Sequence, residues 1–495
     1  MKKMTRREAL AALPAFALLN ASRRSAMAQL ITGLSHVQPG AARIETKLEL
    51  ASSSTKLVDV FDWARSQAMA FVFDEGDPVG PWYEAVEPGR EGFCIRDTCH
   101  QALGAHALGL ARFNLNMLRK FAENVSDSKD WCSYWEINRY NQPAPVDYEN
   151  DAAFWYNLPS NFDLVDCCFR MYVWTGDLTY INDPVFLHLY DRSVNDYVER
   201  WGLDIDHIMS RPRLLNVRGI LDPKAKFPPA RGIPGYNEGD HTYVIGFDVL
   251  ATQHAAYLAY AHIQQARRNA AASEEFLKKA AAVEKLIRDT WWNSAGQCFY
   301  QREEADHHME GCGGRRADNA LSADWRADVS ANAGGAAGAA DHDAEVVRLL
   351  DLSHARLEYP EVSFSRVGDI VTQIMGVNLE YSSPLLSSVD GGWVEMTVRT
   401  LPGLGSTIDW AEVRNLPIRA CTVTVRHDGT SKTTLTNQHG PALIWRPGFE
   451  GKHGSLLVNG KSVEATSETD EHGRAISSVR VAVGGGGAVT VSLPA

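Results

Sequence analysis

The hydrophobic pattern changes character near residue 385. Upstream, apolar residues recur at the three- and four-residue spacing of helices, most clearly along 247–266. Downstream, short runs alternate apolar and polar positions and are separated by turn residues such as Asp428-Gly429 and Asn459-Gly460. The pattern predicts a mostly α protein with a helical catalytic domain over 29–384 and an antiparallel β-sandwich domain over 385–495.

Within the helical part, the apolar spacing predicts a series of helices joined by loops. They cover 56–73, 102–125, 161–175, 184–201, 247–266, 274–292, 343–352 and 367–375. A segment over 317–344 is rich in Ala, Gly and Asp and is expected to be a weakly ordered connection or a thin helix. The loop 131–163 is long and irregular, which in a compact domain favours a functional role.

The first 28 residues are predicted to be a signal peptide. Arg6 and Arg7 precede a short apolar run, and Ala26-Met27-Ala28 has the small-x-small pattern of a cleavage site. The paired arginines resemble a twin-arginine signal, which predicts export of the folded protein and a periplasmic or secreted location. No later stretch is apolar over the length needed to span a bilayer, so no membrane association is expected after removal of the signal.

Composition narrows the classes of partner. The net charge is −12 with no basic block to offset it, which argues against a nucleic-acid partner. The chain has 13 Trp, 16 Tyr and 17 Phe, side chains that stack on sugars as well as pack in cores. Eight cysteines are scattered without metal-ligand spacing, so no zinc site is predicted. The oligomeric state is left open.

A turn rich in Gly, Pro and acidic residues precedes the helix over 247–266. It carries Glu238 and Asp240 among Tyr236, His241 and Tyr243. A carboxyl group partly desolvated among aromatic rings has a raised pKa and suits proton donation, so Glu238 is predicted to be a general acid. Asp240, nearer the helix start, is expected to be held ionised by backbone amides. The alternative is that both acids only favour the positive end of the helix.

The segment 93–101 is a second group of candidate residues. Arg96, Asp97 and His100 lie near a predicted helix start and within one turn of each other, so they can face a common site. A carboxylate beside a guanidinium offers acceptors and donors to vicinal hydroxyls, although a structural ion pair has the same pattern. Trp82 and Tyr83 upstream are predicted to offer stacking surfaces at the same rim.

The loop 131–163 contributes the third group. Its candidates for lining a cleft are aromatic, acidic and amide side chains, with packing as the alternative for each aromatic ring. They are Trp135, Glu136, Asn138, Tyr140, Trp155, Asn161 and Asp163, and the predicted substrate-binding set takes Trp135, Glu136, Asn161 and Asp163 from them.

Three segments carry a resemblance to a known family. They are 93–101, the helix and closing hairpin over 279–300, and Leu357 to Ser365, in which Glu358 and Glu361 precede a Phe-Ser helix. They resemble the six-hairpin glycosidases, most closely glycoside hydrolase family 63 and the trehalases. The resemblance implies an (α/α)6 toroid followed by the β-sandwich. The family places its acid in a Glu-x-Gly-x-Asp run, whereas this chain reads Asn237-Glu238-Gly239-Asp240-His241.

The resemblance implies hydrolysis of a glycosidic bond in an oligosaccharide or glycoconjugate, with inversion. Glu238 would protonate the leaving oxygen, with Asp240 as the alternative acid. Glu361, or Glu358 beside it, would activate water across a gap of about 6.5 to 9.5 Å between the carboxyl groups. A carbohydrate substrate and no cofactor are implied.

Two other functions fit parts of the sequence. A polysaccharide lyase acting on uronate-containing glycans would use Tyr236, His241 and Arg96. A non-catalytic glycan-binding protein would use the cleft residues only to hold a sugar.

Overall fold

The computed structural model describes residues 45–74, 76–212, 231–236, 243–296, 298–311, 342–353, 355–381, 396–470 and 473–494. The predicted signal peptide, the acids Glu238 and Asp240, the neighbouring His241 and the domain boundary at 385 all lie outside these ranges. Most of the Ala, Gly and Asp-rich segment over 317–344 also lies outside them.

Eleven α-helices are formed by the described residues. They are α1 (Thr55–Met69), α2 (Ile95–Ala107), α3 (Ala111–Ala122), α4 (Pro159–Thr175), α5 (Thr179–Asn182), α6 (Pro184–Val194), α7 (Asp196–Arg200), α8 (Phe247–Ala266), α9 (Ala270–Leu286), α10 (His342–Leu350) and α11 (Pro360–Asp369). One π-helical turn follows α9 over Ile287–Trp291, and another follows α11 over Ile370–Ile374. The prediction over 247–266 is confirmed residue for residue.

The helices form two layers. In the inner layer α11 packs on α2, α2 on α4, and α4 on α8, so the four lie side by side. In the outer layer α1 packs on α11, α3 on α2, α6 on α4, and α9 on α8. Inner and outer helices therefore alternate along much of the chain, which is the arrangement of helical hairpins that the sequence predicted.

The single helix predicted over 102–125 is wrong, because the chain breaks between α2 and α3. Gly109 has a φ of +90°, a left-handed conformation that glycine adopts without the Cβ penalty. The amide of Gly109 bonds to the carbonyl of His106, and that of Leu110 bonds to Ala105, so the turn satisfies the helix end. The break lets α3 fold back on α2 as a hairpin.

Short strand pairs are interspersed among the helices. They are β2 (Val72–Phe73), β3 (Trp82–Tyr83), β4 (Gly92–Cys94), β5 (Glu136–Asn138), β6 (Tyr148–Asn150), β7 (Ala153–Phe154), β8 (Tyr156–Asn157), β9 (Arg231–Ile233), β10 (Ile245–Gly246), β11 (Trp292–Asn293), β12 (Cys298–Phe299), β13 (Arg302–Glu303) and β14 (Met309–Glu310). Four of them lie in the loop over 131–163, which is thus less irregular than predicted.

The C-terminal part holds two sheets. Their strands are β15 (Val377–Tyr381), β16 (Met396–Thr400), β17 (Trp410–Ile418), β18 (Cys421–Asp428), β19 (Lys432–His439), β20 (Leu443–Glu450), β21 (Ser455–Val458), β22 (Lys461–Glu464), β23 (Thr466–Thr469), β24 (Ala475–Ser478), β25 (Val481–Val483) and β26 (Ala488–Ser492), joined by β1 (Glu49–Ser52). One sheet has the order β1-β17-β18-β19-β26-β21-β22, and the other β15-β16-β20-β24-β23, with β25 on β20.

Three features of these sheets differ from the prediction. Strand β1, which lies in the stretch assigned to the helical domain, pairs with β17 and adds an N-terminal strand to the sheet. Strand β15 already belongs to a sheet, although it precedes residue 385. The pair β16 and β20 is parallel rather than antiparallel. The predicted hairpin turns after Asp428 and Val458 are confirmed.

The helices and sheets share one continuous hydrophobic cluster. Of the cysteines in the described residues, Cys298 is disulfide-bonded and the other six are buried free thiols. None of the helices within the described ranges combines the length and apolarity that crossing a bilayer requires.

Candidate active site

The N-terminal ends of the inner helices meet at one cluster of polar side chains. Helix α2 supplies Arg96, Asp97 and His100 from its first two turns, α4 supplies Asp163, and α11 supplies Glu361. Both α4 and α11 begin with proline at their first position, where its fixed φ suits the helix and no amide donor is lost. Helix N-termini carry partial positive charge, which stabilises the carboxylates gathered there.

His100 joins two of the carboxyl groups. Its Nδ1 lies 2.7 Å from Oε1 of Glu361, and its Nε2 lies 4.0 Å from Oδ2 of Asp163. The same Oδ2 accepts a short hydrogen bond from the hydroxyl of Tyr236. The ring of Tyr236 stands edge-on to the imidazole, with their centroids 6.4 Å apart. Residues from three helices and one loop thus form a continuous chain of contacts.

Arg96 and Asp97 form the second half of the cluster. Nε of Arg96 donates to Oδ1 of Asp97 at 3.3 Å, and the hydroxyl of Tyr359 donates to Oδ2 at 2.6 Å. The guanidinium carbon of Arg96 lies 5.7 Å from the ring centroid of Trp135 and 5.3 Å from that of Tyr236. Two aromatic faces and a carboxyl therefore hold the one guanidinium in place.

Burial dominates the electrostatics. It raises the pKa of Asp97 to about 6, helped by the charge of Glu361 and opposed by Arg96. It raises the pKa of Asp163 to about 6, opposed by His100 and the Tyr236 hydroxyl. It lowers the pKa of His100 to about 4, opposed by Asp163. Near pH 7 the imidazole is neutral, while both aspartates lose their protons about one pH unit lower.

The two glutamates that the sequence left as alternatives for the base differ in position. Glu361 lies in the first turn of α11, is 12% exposed and contacts His100. Glu358 is 57% exposed and lies 3.6 Å from the exposed Arg356. The side chain of Glu358 points to solvent while that of Glu361 joins the cluster, so Glu361 is the candidate base that the geometry favours.

Two predicted substrate-binding residues, Trp82 and Tyr83, lie in the packed interior instead. Trp82 is stacked on Phe73 and donates its indole N–H to Asp77. Tyr83 donates its hydroxyl to Asn114 at 2.8 Å. Each of the two rings is fully buried, so neither offers a stacking face to a sugar.

Asn161 is also a correction. Its Oδ1 accepts from the Tyr156 hydroxyl, and its Nδ2 donates to the carbonyl of Trp131 and to Oγ of Ser193. The side chain is fully buried and its hydrogen bonds all go to protein groups. It therefore ties α4 to α6 and the loop before it, rather than binding a sugar.

Glu136 is the last correction among these. It is 1% exposed and forms an ion pair with Arg90, a pairing that the sequence did not predict. Its neighbour Trp135 is buried at 4% exposure but contacts Arg96 and Tyr236, so it supports the positions of these two side chains of the cluster.

Tyr359 was not predicted from the sequence, although its hydroxyl is one of the donors to Asp97. The signal was present, since Tyr359 directly precedes the proline that starts α11 and two residues later comes Glu361. The acids Glu238 and Asp240 lie outside the described residues, and Tyr236 is the last described position before them. Among the described residues no group of three or more His, Cys, Asp and Glu side chains is arranged to hold a metal ion.

Three features define the class of fold. They are two layers of helices, a polar cluster at the N-terminal ends of the inner layer, and two C-terminal sheets. The chain is similar to the α-L-rhamnosidase of Dictyoglumus thermophilum, with a TM-score of 0.53 and 10% identity over 92% of this chain and 51% of that one. At this identity the likeness shows a shared fold. It confirms the coarse architecture of helical hairpins with a β-rich C-terminal part.

A weaker similarity exists to the native α-L-rhamnosidase of Aspergillus terreus, with a TM-score of 0.46 and 12% identity over 89% of this chain and 50% of that one. Another exists to the cellobiose 2-epimerase of Bacillus thermoamylovorans, with a TM-score of 0.35 and 10% identity over 65% of this chain and 74% of that one. The chain spans about half the length of the two rhamnosidases. No protein-family model and no curated protein sequence matches it. The closer likeness to family 63 and the trehalases stays a prediction.

Proposed function

We propose that the protein is a glycoside hydrolase that cleaves a glycosidic bond with inversion. Glu361 is the general base that activates water, and Glu238 is the general acid, with Asp240 as the alternative. Arg96, whose side chain is 20% exposed, holds hydroxyls of the sugar, and the buried Asp97 orients its guanidinium. The observation that carries the proposal is the position of Glu361, at a positive helix end and in contact with His100, beside a second buried carboxyl group.

The chemistry of these groups supports the proposal. A base that takes a proton from water must be ionised, and the N-terminal end of α11, where Glu361 contacts His100, stabilises that charge. Arg96 supplies donors for vicinal hydroxyls, and Asp97 and Trp135 fix its guanidinium. The similarity to a rhamnosidase fold is consistent with a carbohydrate substrate.

The described chain leads from this cluster towards the proposed acid in sequence. Tyr236 is buried at 4% exposure and bonds to Asp163, and its amide donates to Asp248 in the first turn of α8. Glu238 follows two residues later in the sequence. A pair of carboxyl groups about 6.5 to 9.5 Å apart would leave room for the attacking water.

The test is turnover on a panel of aryl glycosides and oligosaccharides, with the anomer of the product read by NMR. Glu361→Gln and Glu238→Gln are each expected to lower kcat by about 10²- to 10⁴-fold, because each removes a positioned proton-transfer group. Substrate binding should change little, since the amide keeps the shape of the carboxyl group.

Glu358→Gln is the matched control for Glu361→Gln. It is three residues away and exposed, so it should retain wild-type turnover. Equal losses in the two variants would overturn the role of Glu361. Full turnover in Glu238→Gln with loss in Asp240→Asn would move the acid to Asp240. Tight glycan binding without hydrolysis of any substrate would replace the hydrolase by a non-catalytic binding protein.

The environment of Tyr236 argues against the lyase alternative. A lyase would need its hydroxyl as a base, but burial and the adjacent Asp163 raise the pKa of Tyr236 well above its ordinary value. Arg96, the cation that would neutralise a uronate, already pairs with Asp97. Release of an unsaturated product from uronate polymers would nevertheless reverse this conclusion.

A further inference from the structure

His100 occupies a place that sugar binding does not explain. Its side chain is 5% exposed and lies between two carboxyl groups that come from different helices. A residue this buried offers little surface to a hydroxyl of the substrate. Its close polar contact is instead with Glu361, the proposed base.

We infer that His100 is a positioning residue, which donates its Nδ1 proton to Glu361 and so fixes the orientation and the ionised state of that carboxylate. The inference rests on the proposed function for its consequence in catalysis, but its geometry stands independently of turnover.

The tautomer follows from the partners. A neutral imidazole carries one proton, and an ionised carboxylate accepts but cannot donate. A separation of 2.7 Å between Nδ1 and Oε1 of Glu361 is a full hydrogen bond, whereas 4.0 Å between Nε2 and Oδ2 of Asp163 is too long for one. The proton is therefore on Nδ1, and the unprotonated Nε2 faces Asp163.

Asp163 and Tyr236 complete the arrangement on the other side of the ring. The Tyr236 hydroxyl donates to the same Oδ2 that faces Nε2, which keeps this oxygen directed away from a closer approach to the imidazole. Asp163 therefore lies beside the ring without a hydrogen bond to it. His100 therefore forms a hydrogen bond with Glu361 but not with Asp163.

Charged and titratable groups face His100 from each element packed around it. They are Arg96 and Asp97 on α2, Asp163 and Arg170 on α4, Glu361 on α11, and Tyr236 ahead of α8. Burial outweighs them and keeps the imidazole neutral, because its pKa is lowered to about 4. The acid limb of the activity profile should therefore report the carboxyl groups of the cluster and not the imidazole, and it should move when the Nδ1 donor to Glu361 is removed.

The matched variants are His100→Asn and His100→Gln. The amide of asparagine can replace Nδ1 as a donor, whereas that of glutamine extends to the position of Nε2, towards Asp163. We expect His100→Asn to keep kcat within about fivefold of wild type. We expect His100→Gln to lose about 50-fold or more, and its acid limb to move to higher pH by about one unit, a tenfold change in proton affinity. His106→Asn, on the same helix but outside the cluster, should leave the profile unchanged.

A second measurement needs no turnover. In wild-type protein labelled with ¹⁵N in its histidines, the resonances absent from His100→Asn identify His100, and their shifts should give the Nδ1–H tautomer down to about pH 5. Glu361→Gln should disturb that tautomer.

An Nε2–H tautomer, or equal losses and unchanged acid limbs in both His100 variants, would overturn the inference. If the wild type hydrolyses no glycoside while the Nδ1–H tautomer is found, the proposed function fails and the positioning of Glu361 stands.

Discussion

The inner helices have two ends with opposite characters, which α2 shows most directly. His100 near its start and His106 at its last turn are both buried, and burial lowers the pKa of each to about 4. His100 faces carboxyl groups, whereas Nε2 of His106 bonds to the carbonyl of Pro417 in β17 at 3.0 Å. Burial and a shifted pKa therefore do not distinguish a functional histidine from a structural one; the partner does.

The other inner helices repeat this division. Helix α4 carries Asp163 near its start and ends where the carbonyls of Val173 and Trp174 accept from Arg419 of the β17–β18 turn. The π-turn after α11 ends at Met375, whose carbonyl lies 2.9 Å from Nε2 of His427. Hydrogen bonds to backbone carbonyls seat the helices on the sheet, and the carboxyl groups of the cluster lie at the opposite end.

The largest effect is expected where α2 and α11 touch between these two ends. A Cβ on Gly104 would lie 1.8 Å from the backbone oxygen of Phe364, so Gly104→Ala must push the helices apart. We expect a loss of about 3 kcal/mol in the free energy of unfolding, measured by urea denaturation. Because α11 carries Glu361, kcat/KM should fall as well.

Gly368→Ala is the control from the facing helix. Its Cβ would meet the Gly104 nitrogen at 3.2 Å, a contact that a shift of a few tenths of an ångström relieves. Alanine also gains about 1 kcal/mol of helix propensity, so the net change should be below that of Gly104→Ala. Equal stability of Gly104→Ala and wild type would contradict the close contact of the two helices.

The next effect separates the two histidines of α2 by pH. A histidine with a lowered folded-state pKa stabilises the fold above its ordinary pKa, and this contribution is lost as the pH falls towards the folded value. For His106 the window runs from 6.5 to about 4 and corresponds to about 3 kcal/mol. We expect the stability of His106→Leu to fall less steeply across that window than that of wild type.

Urea titrations from pH 7 to pH 4 measure this difference. At pH 7, His106→Leu should be about 1 kcal/mol less stable, because the Pro417 carbonyl loses its donor, and kcat/KM should not change. The raised pKa values of Asp97 and Asp163 act in the opposite direction, since their burial costs less as they become protonated, but they are common to both proteins. Identical pH slopes would show that His106 is not held neutral in the fold.

The sequence predicted the end of the inner helices that carries the polar cluster far better than the end that packs on the sheet. The positions of Arg96, Asp97 and His100 on one helix follow from spacing alone, and the helix over 247–266 follows from its apolar periodicity. The rings of Trp82 and Tyr83 could not be separated from a sugar platform, because burial of an aromatic depends on distant partners such as Phe364.

The sequence around the sheet ends of the helices does not indicate which residues they contact. In the sequence, His106 and His427 are isolated histidines. Their partners, Pro417 for His106 and Met375 for His427, are more than fifty residues away in sequence and meet them only in the folded chain. The pairing of β1 with β17 is equally non-local, since it joins residues some 360 positions apart. Spacing rules describe neighbours along one element, and these contacts are between elements.

A smaller effect is expected from Tyr359→Phe, which removes one donor from the cluster and leaves Arg96 on Asp97. Without the hydroxyl the pKa of Asp97 should rise further above about 6, and kcat/KM near neutral pH should fall by about tenfold, the value of one such hydrogen bond to a charged group. The pH dependence of kcat/KM measures both changes.

Tyr83→Phe is the matched control, because its hydroxyl bonds to Asn114 in the core. It should lose about 1 kcal/mol of stability with kcat/KM unchanged. A loss of turnover in Tyr83→Phe equal to that in Tyr359→Phe would mean that the core and the cluster are not separable in this way.

The smallest effect is expected at the sheet end of α4. Arg419→Ala removes a cation from the negative end of the helix and a hydrogen bond to the Val173 carbonyl, while the backbone bond from residue 419 to Trp174 remains. We expect a loss of about 0.5 to 1 kcal/mol in urea denaturation, reduced by added salt, with no change in kcat/KM. Arg419→Lys keeps the charge and should recover part of the loss. A drop in kcat/KM in Arg419→Ala without loss of stability would show that the sheet end of α4 acts on the cluster, and the two ends would then have to be treated as one coupled unit.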